Sequence, residues 1–361
     1  MHRRIINLAL PSIVSNITVP LLGLVDTAIT GHMGEARYIG AIAVGSMVFN
    51  IMYWLFAFLR MGTGGMTAQA YGRKDFCDAD LTGLRAISIS ALIGLAIIAL
   101  QYPLLHFVMW FIAPEENVLN LVYSYCYICI WGAPASLGLF ALNGWFVGMQ
   151  NSRFPLYIAV GQNLINIAVS YVLVFYYGMG VEGVAMGTVV AQYAGLIAAW
   201  KLSTYLSTKI VDNAVSRSYK QENVDKSEDK HTSYQQFFTV NRDIFLRMIC
   251  LIAVTTAFTS YGSRLSDTLL AVNTLLLQLF TLFSYFSDGF ALAGEALVGK
   301  YYGASLSEEL GVRSEEYSAA KKNINKVIKR LFAWGGGVMV LFTAIYSLGG
   351  LPFLRLLSDE E

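Results

Sequence analysis

The sequence predicts an all-α integral membrane protein with two helical lobes related by a repeat. Hydrophobic residues make up 56% of its 361 residues and charged residues 14%, against roughly 45–50% and about 25% in soluble domains. A bilayer core of about 30 Å takes about 20 apolar residues per helix, and several segments reach that length. One constant offset also carries Gly34 onto Gly262 and Phe58 onto Phe286, which indicates two copies of one helical unit. The predicted spans are residues 5–30, 39–70, 85–111, 118–147, 154–177, 181–206, 240–262, 268–299 and 327–350.

The distribution of basic residues predicts the topology, because cytoplasmic loops collect Lys and Arg. Of the 25 such residues, most fall on the side of the N-terminus, while Arg37, Arg264 and Arg355 fall on the opposite side and Arg60 lies inside a helix. The N-terminus is therefore predicted to be cytoplasmic. Six helices return the chain to that side, so the second copy enters in the same orientation. This makes a parallel repeat about a pseudo-two-fold axis along the membrane normal.

Three regions follow from this topology. Residues 1–206 are predicted to form a six-helix N-lobe, residues 207–236 a polar cytoplasmic linker, and residues 237–361 an incomplete three-helix C-lobe. Residues 351–361 resemble residues 102–116, which follow the third helix of the first copy. We therefore expect the chain to be a fragment or truncated gene model of a twelve-helix protein, and a non-functional fragment of an exporter is the alternative to an active transporter.

The first helix carries two prolines and an acid within its apolar run. The run has no small-residue cleavage site, so it is interpreted as a helix of the mature protein and not as a signal peptide. Pro11 and Pro20 each remove a backbone hydrogen bond and favour a bend. Asp26 lies further along the same helix, and a carboxyl buried away from water binds a proton more readily. This combination predicts an ion-driven switch; the alternative is a carboxylate wetted at the outer end of its helix.

Ionisable side chains are few within the apolar segments, so each one is a functional candidate. A carboxylate at mid-membrane costs on the order of 2.5–3.5 kcal/mol and needs a partner, a water-filled cavity or a proton. The candidates are Asp26, Arg60, Asp288 and Glu295.

Other patterns predict no cofactor chemistry. Gly178, Gly180 and Gly183 spell G-x-G-x-x-G, but they join two predicted spans, and no acid follows at the distance that a dinucleotide site needs. Cys126 and Cys129 are interpreted as small side chains in an apolar helix and not as a metal or redox pair. We expect no enzymatic activity, no structural metal, no cofactor beyond H⁺ or Na⁺ as the coupling ion, and no nucleic-acid partner.

Four longer runs carry more specific signatures. They are LVDTAITGHMG at residues 24–34, FLRMGTGGMTAQAYG at 58–72, NIAVSYVLVFYYGMGVEGVAMGTVVAQ at 166–192 and SDGFALAGEALVGKYYGA at 287–304. These runs resemble the multidrug and toxic compound extrusion (MATE) family, and within it the DinF-like branch. The resemblance implies a cation-coupled multidrug efflux antiporter with two lobes around a central cleft. It further implies a monomeric, multi-pass protein of the bacterial inner membrane that exports small amphipathic or cationic organic compounds.

The resemblance also implies a cation site in the N-lobe. In the family, an acid on the first helix, an Asn and an Asp one turn apart on the fifth, and a Thr on the sixth form this site. The matching positions here are Asp26, Asn166, Ser170 and Thr188. Ser170 stands where the family pattern has Asp, whereas a hard cation takes several oxygen ligands and enough negative charge. Protons are therefore expected ahead of sodium, with Asn166, Ser170 and Thr188 as the hydrogen-bond shell of Asp26 and Na⁺ at Asp26 as the alternative.

The repeat offset places Arg60 on Asp288. Two opposite charges at equal depth are predicted to form a gate between the lobes in one state of the cycle. Glu295 lies two turns from Asp288 on the same face of its helix and is expected to face the cleft as well. The alternative is that each residue finds partners within its own lobe.

Aromatic and methionine side chains on the second and eighth predicted helices are candidates for an adaptable apolar substrate cavity. The alternative is ordinary packing or lipid contact at the same spacing. A second functional interpretation is a flippase of lipid-linked intermediates, but that needs a wide cationic cleft, and Arg60 alone is little basic charge within the helices. The cavity candidates are Met52, Tyr53, Trp54, Met61, Tyr285, Phe286 and Phe290.

Overall fold

The regular structure is entirely helical in the computed structural model, which describes residues 1–33, 36–112, 116–218, 234–265, 267–306 and 314–357. An α-helix satisfies its backbone hydrogen bonds within one segment, as the lipid interior demands. The predicted all-α membrane fold is confirmed. A 3₁₀ turn (Ile130–Gly132) precedes α7 and a π-helical turn (Val172–Tyr176) follows α8. The helices are α1 (His2–Gly31), α2 (Ala36–Leu55), α3 (Phe58–Arg73), α4 (Phe76–Ala99), α5 (Gln101–Ile112), α6 (Glu116–Cys129), α7 (Ala133–Gly148), α8 (Arg153–Tyr171), α9 (Gly180–Ser218), α10 (Tyr234–Leu265), α11 (Asp267–Leu306) and α12 (Ser314–Leu357).

Eight helical stretches within the described residues are long and apolar enough to cross a membrane. They correspond to eight of the predicted spans. The span predicted at 240–262 lies within helix α10 and is not among the eight found within the described residues. The side chains of residues 258–265 lie outside the described part of the chain.

Two predicted spans differ in outline from the helices observed. The segment predicted at 39–70 consists of α2 followed, after a short turn, by α3. The segment predicted at 85–111 begins earlier, at Phe76, and its second half is the separate helix α5. The early start of α4 was hidden because its first turns are polar. Asp78 is nevertheless fully buried there and pairs with Arg73 at 2.7 Å.

Helix α1 continues through both prolines and contacts both halves of the chain. It is helical without interruption at Pro11 and Pro20, the positions where a bend is predicted. Asn163 on α8 donates its side-chain amide to the Thr18 carbonyl at 2.9 Å, and Asn16 donates to a carbonyl of α11 at 3.4 Å. The segment between the two prolines therefore holds a link to each half.

Helices α3 and α11 pack closely through glycines that contact each other's backbone. Gly72 lies against the carbonyl of Lys300, and Gly303 lies against the carbonyl of Gln69. One offset carries Gln69 onto Lys300 and Gly72 onto Gly303, so the two contacts are reciprocal. This is the packing expected where a pseudo-two-fold axis runs between two copies of one helix.

Two further contacts lie on that axis, because each joins equivalent positions of the two copies. Gly299 packs on Ala68, and the carboxyl of Glu295 packs on Gly64. The offset that pairs Gly72 with Gly303 is three residues longer than the offset that paired Arg60 with Asp288 in the sequence. Arg60 is therefore equivalent to Ala291 here, and the sequence argument from equal depth does not hold for this pair.

Helix α9 extends to Ser218, so the first residues of the predicted linker (207–236) are helical. Residues 219–233 lie outside the described part, and the division into lobes stays a prediction. Large apolar side chains cover the outer surface: Trp110 is 77% exposed and Leu348 is 86% exposed. A surface of this kind is stable in lipid and not in water.

Candidate functional site

The carboxyl of Asp26 lies in the interior of the N-terminal helices. Its Oδ1 atom is buried and has no hydrogen-bond partner. The side chain lies within electrostatic range of Tyr125 and Cys129 on α6. Tyr125 is itself 4% exposed, and its hydroxyl is 3.4 Å from the hydroxyl of Ser46 on α2. The acid on α1 therefore lies near the Tyr125 hydroxyl of α6, which in turn lies beside the Ser46 hydroxyl of α2.

The predicted partners of Asp26 gather where α8 meets α9. Asn166 is 1% exposed and donates its side-chain amide to the Thr188 hydroxyl at 3.0 Å. Ser170 lies one turn along α8 and packs against Gly187, whose missing side chain leaves the space. The Asn166 Oδ1 and the Ser170 Oγ are both buried without a partner. Asn166 and Thr188, both predicted as hydrogen-bond partners of Asp26, thus bond to each other.

Asp26 makes no hydrogen bond with Asn166, Ser170 or Thr188 in this structure, as far as the described residues show. Thr188 instead donates to the Val184 carbonyl at 3.1 Å. The predicted shell and the predicted acid are therefore two separate polar groups in this state. Both keep buried oxygen atoms unpartnered.

Two further polar side chains in the same half were missed by the sequence argument as members of a polar site. The hydroxyl of Tyr53 and the Oε1 of Gln192 are both buried, and the Gln192 oxygen has no hydrogen-bond partner among the described residues. Tyr53 lies near Ser136 and Tyr193, and Gln192 packs against Gly132. The signal that could have found them is the same one used for Asp26, a polar side chain inside an apolar span. Unpartnered buried polar atoms are costly, so this interior is suited to admitting water or an ion.

The predicted gate residues lie near one another at the start of α3 and the middle of α11. Arg60 is within electrostatic range of both Asp288 and Glu295, and Arg247 is within range of Asp288. No direct ion pair joins Arg60 to either carboxylate within the described ranges. Asp288 is exposed, whereas the Oε1 of Glu295 is buried against Gly64 without a partner.

The substrate-cavity candidates do not form one group in this state. Tyr53 packs in the N-terminal half with Phe140 at 6.4 Å between ring centres. Phe286 packs on Phe342 of α12 at 5.1 Å, and Phe290 stacks on α12 at 6.0 Å. Trp54 is 53% exposed. Met52, Met61 and Tyr285 are half-buried.

Metal binding has little support in the donor set. No three His, Cys, Asp or Glu side chains come together among the residues that the structure describes. Beside Asn166 and Thr188, the family's second acid is replaced by the hydroxyl of Ser170. A sodium ion there would depend on neutral oxygens, which suit a hard cation poorly without more negative charge.

Comparison with known proteins places these features in a family. Residues 11–172 match the family model described as MatE. The chain is 35% identical to the DNA damage-inducible protein F of Escherichia coli, over 98% of this chain and 72% of that protein. It is 26% identical to the chloroplastic protein DETOXIFICATION 44 of Arabidopsis thaliana, over 99% of this chain and 65% of that protein. A solved structure of an MOP superfamily transporter from Pyrococcus furiosus has the same fold, with a TM-score of 0.75 and 18% identity over 99% of this chain and 74% of that one.

Proposed function

This chain belongs to the MatE family of multidrug and toxic compound extrusion transporters, and we propose that it exports small amphipathic or cationic organic compounds in exchange for protons. Family membership confirms the prediction of a multi-pass membrane transporter and not an enzyme. One observation carries the proposal of proton coupling. The Asp26 carboxyl is held among apolar helices with a buried oxygen that no protein group satisfies.

The proton is the simplest partner for this oxygen. An ionised carboxylate without a partner costs several kcal/mol in a low-dielectric interior, and protonation removes the charge. The protonated carboxyl also gains a donor, which the buried hydroxyl oxygen of Tyr125 is suited to accept. Binding and release of a proton would then follow any change in how well Asp26 is solvated.

Helix α1 is suited to change that solvation during transport. Its segment between Pro11 and Pro20 is hydrogen-bonded to α8 through Asn163 and to α11 through Asn16. A movement of one half against the other therefore pulls on the helix that carries Asp26. The two prolines remove backbone hydrogen bonds that would otherwise resist bending.

The site favours protons over sodium because it offers one acid. The Asn166 amide nitrogen donates to the Thr188 hydroxyl at 3.0 Å, so these two side chains bond to each other and, within the described residues, not to Asp26. Ser170 supplies a neutral oxygen where the family pattern has a carboxylate. In our proposal the Asn166–Thr188 pair fixes the α8–α9 contact, and Asp26 alone carries the coupling charge.

The direction of transport follows from the proposed topology. The excess of Lys and Arg in the loops on the side of the N-terminus supports a cytoplasmic N-terminus, and the similarity to an Escherichia coli protein supports a location in a bacterial inner membrane. Protons then enter through the N-lobe while the organic substrate leaves. Alternating access between the two lobes links the two movements.

Liposomes that contain the purified full chain would test this proposal. Uptake of a fluorescent lipophilic cation is measured under a pH gradient, or under a sodium gradient at constant pH. We expect the pH gradient alone to drive uptake by the wild type, Asp26→Asn to abolish it, and Glu182→Gln to leave it unchanged. Glu182 is the matched control because it is an exposed acid in the first turn of α9. Normal uptake by Asp26→Asn, or uptake driven by sodium alone, would refute proton coupling through this residue.

A further inference from the structure

A cavity of about 620 Å³ lies at the end of the molecule that holds the N-terminus. Its volume is in the range of sites for small ligands. It is formed where the beginning of α1, the end of α3, the α7–α8 turn, the lower part of α9 and α11 meet. It is distinct from the Asp26 interior, with which it shares no residue. Its lining is Arg4, Asn7, Leu8, Tyr71, Met149, Gln150, Asn151, Ser152, Arg153, Leu206, Lys209, Leu297 and Lys300.

Among the described residues, four cations from four helices line this cavity and no carboxylate does. They are Arg4 on α1, Arg153 at the start of α8, Lys209 on α9 and Lys300 on α11. The contacts that the structure gives for Arg4 and Lys300 are neutral. Arg4 donates to a tyrosine hydroxyl at 3.1 Å, and Lys300 lies 4.8 Å above the centre of the Tyr71 ring. Arg4 and Lys300 also repel each other, so the arrangement is favourable for an anion.

The N-terminus of α8 adds a second feature of an anion site. Ser152 occupies the N-cap position, yet its side chain makes no capping hydrogen bond. It is 2% exposed, and its hydroxyl is buried without a partner. The Oδ1 of Asn151 accepts from the backbone amide of Arg153 at 3.1 Å instead. The Ser152 hydroxyl is thus a buried donor at the positive end of a helix dipole, in the wall of a cationic cavity.

The turn before α8 is built to hold this wall against α11. Gln150 has a φ of 64°, a left-handed conformation that costs about 1 kcal/mol or more for a residue other than glycine. Its side-chain amide donates to the Ala296 carbonyl of α11 at 2.7 Å. This left-handed residue ends helix α7, where the backbone amide of Asn151 donates to the Phe146 carbonyl at 2.9 Å, and the Gln150 side chain fixes that turn to α11.

We propose that this cavity binds an anionic phosphate group, supplied either by a phospholipid headgroup or by a free phosphate. The phosphate oxygens accept from Arg4, Arg153, Lys209, Lys300 and Ser152. Bidentate and charge-assisted hydrogen bonds of this kind are the usual means of phosphate recognition. The bound group joins α1, α8 and α9 to α11, and so stabilises the state in which this end of the transporter is closed.

Thermal unfolding of the purified full chain tests the site without any measurement of transport. In one arm, the protein in a neutral detergent is titrated with inorganic phosphate at constant ionic strength, with chloride as the balancing anion. In the other arm, the protein is placed in nanodiscs of phosphatidylcholine with or without phosphatidylglycerol. For each variant, the change in melting temperature that the anion causes is compared with the change in the wild type. The absolute melting temperature is not compared, because a variant can be less stable overall and still bind the anion.

The variants are Arg153→Gln, Lys300→Gln and Ser152→Ala, with Lys201→Gln as the control. Lys201 and Lys209 are both exposed on α9, but Lys201 is not among the cavity's lining residues. We expect a saturable rise in the wild-type melting temperature. Each loss of a cation should weaken half-saturation by about tenfold or more, as the loss of one charge-assisted hydrogen bond does, while Lys201→Gln should stay within about twofold.

The two arms also identify the source of the phosphate. A response to inorganic phosphate in detergent indicates a free phosphate, whereas a response only to phosphatidylglycerol indicates a headgroup. The proposal is overturned if neither anion shifts the wild type. It is equally overturned if the cavity variants and Lys201→Gln respond alike. Because Asp26 takes no part in this assay, failure here is independent of the coupling experiment.

Discussion

The contact between α3 and α11 predicts a sharp difference between two glycines that look alike in sequence. A methyl group added at Gly303 would collide with the carbonyl of Gln69, which cannot rotate away because it belongs to the backbone of α3. A methyl group added at Gly336 on α12 would meet no atom within contact distance. Gly303→Ala should therefore force the two helices apart, while Gly336→Ala should not.

The size of the effect can be worked from these contacts. Overpacking costs typically about 1–3 kcal/mol, and alanine gains back up to about 1 kcal/mol of helix propensity over glycine. Because the Gln69 carbonyl cannot move aside, the upper part of that range, about 2–3 kcal/mol, applies, and the net loss at Gly303 is then about 1–2 kcal/mol. At about 2–4 °C per kcal/mol, the melting temperature should fall by about 2–8 °C. Gly336→Ala keeps only the propensity gain and should melt at or above the wild type.

Thermal unfolding followed by tryptophan fluorescence, in one detergent for all variants, is a sufficient assay. The repeat adds an internal check, because Gly72→Ala meets the equivalent carbonyl at Lys300 and should lower the melting temperature by a similar amount. The double variant should lose less than the sum, since helices already forced apart by one methyl group have room for the second. Equal melting of Gly303→Ala and Gly336→Ala would refute the close packing, and full additivity would refute the reciprocal contact.

Two further substitutions test other parts of the structure. Asp78→Asn leaves Arg73 without the fully buried carboxylate it pairs with at 2.7 Å, so we expect a loss of about 3 kcal/mol, seen as a lower melting temperature; a change below 1 °C would contradict this. Thr188→Val removes the acceptor of the Asn166 amide and should cost about 1–3 kcal/mol and slow transport. The control is Thr204→Val, which removes an exposed hydroxyl bonded within the same helix, and equal losses in the two variants would show that the Asn166 contact contributes nothing.

Composition and hydropathy were sufficient to predict the fold class and eight of the spans, because lipid imposes length and apolarity on each helix. The proximity of Asn166 to Thr188 was also predictable, since the family pattern places the two residues in one site. The start of α4 was not predictable. From its sequence neighbours alone, Asp78 is predicted to lie in a loop, because its partner Arg73 belongs to the preceding helix. The local sequence does not show which residues of two different helices will form a pair.

The register of the repeat shows the same limit. The first offset matched Gly34 and Phe58 in the second copy, but an insertion of three residues lies between there and the glycines of α3 and α11. The sequence pairs Tyr71 and Gly72 with Tyr302 and Gly303 once three residues are inserted, and the reciprocal contacts of the two glycines confirm that pairing. Depth in the membrane is therefore set by packing, and the proximity of Arg60 to Asp288 is a property of the folded helices that the first offset did not establish.

The cationic cavity escaped the sequence argument for a related reason. Its four positive side chains come from four helices, and each looks like an ordinary basic residue near a membrane surface. The family resemblance also directed attention to the N-lobe interior. The unpartnered hydroxyl of Ser152 carries no sequence signal, because serine is common at the start of helices.

The central claim is that Asp26 holds the proton that substrate binding exchanges. It is tested most directly by the protons released when a lipophilic cation is added to the purified full chain in weakly buffered detergent. The account predicts release of about one proton per bound cation from the wild type, as one carboxyl can supply, and none from Asp26→Asn. Equal proton release from the wild type and from Asp26→Asn, with cation binding intact in both, would contradict it.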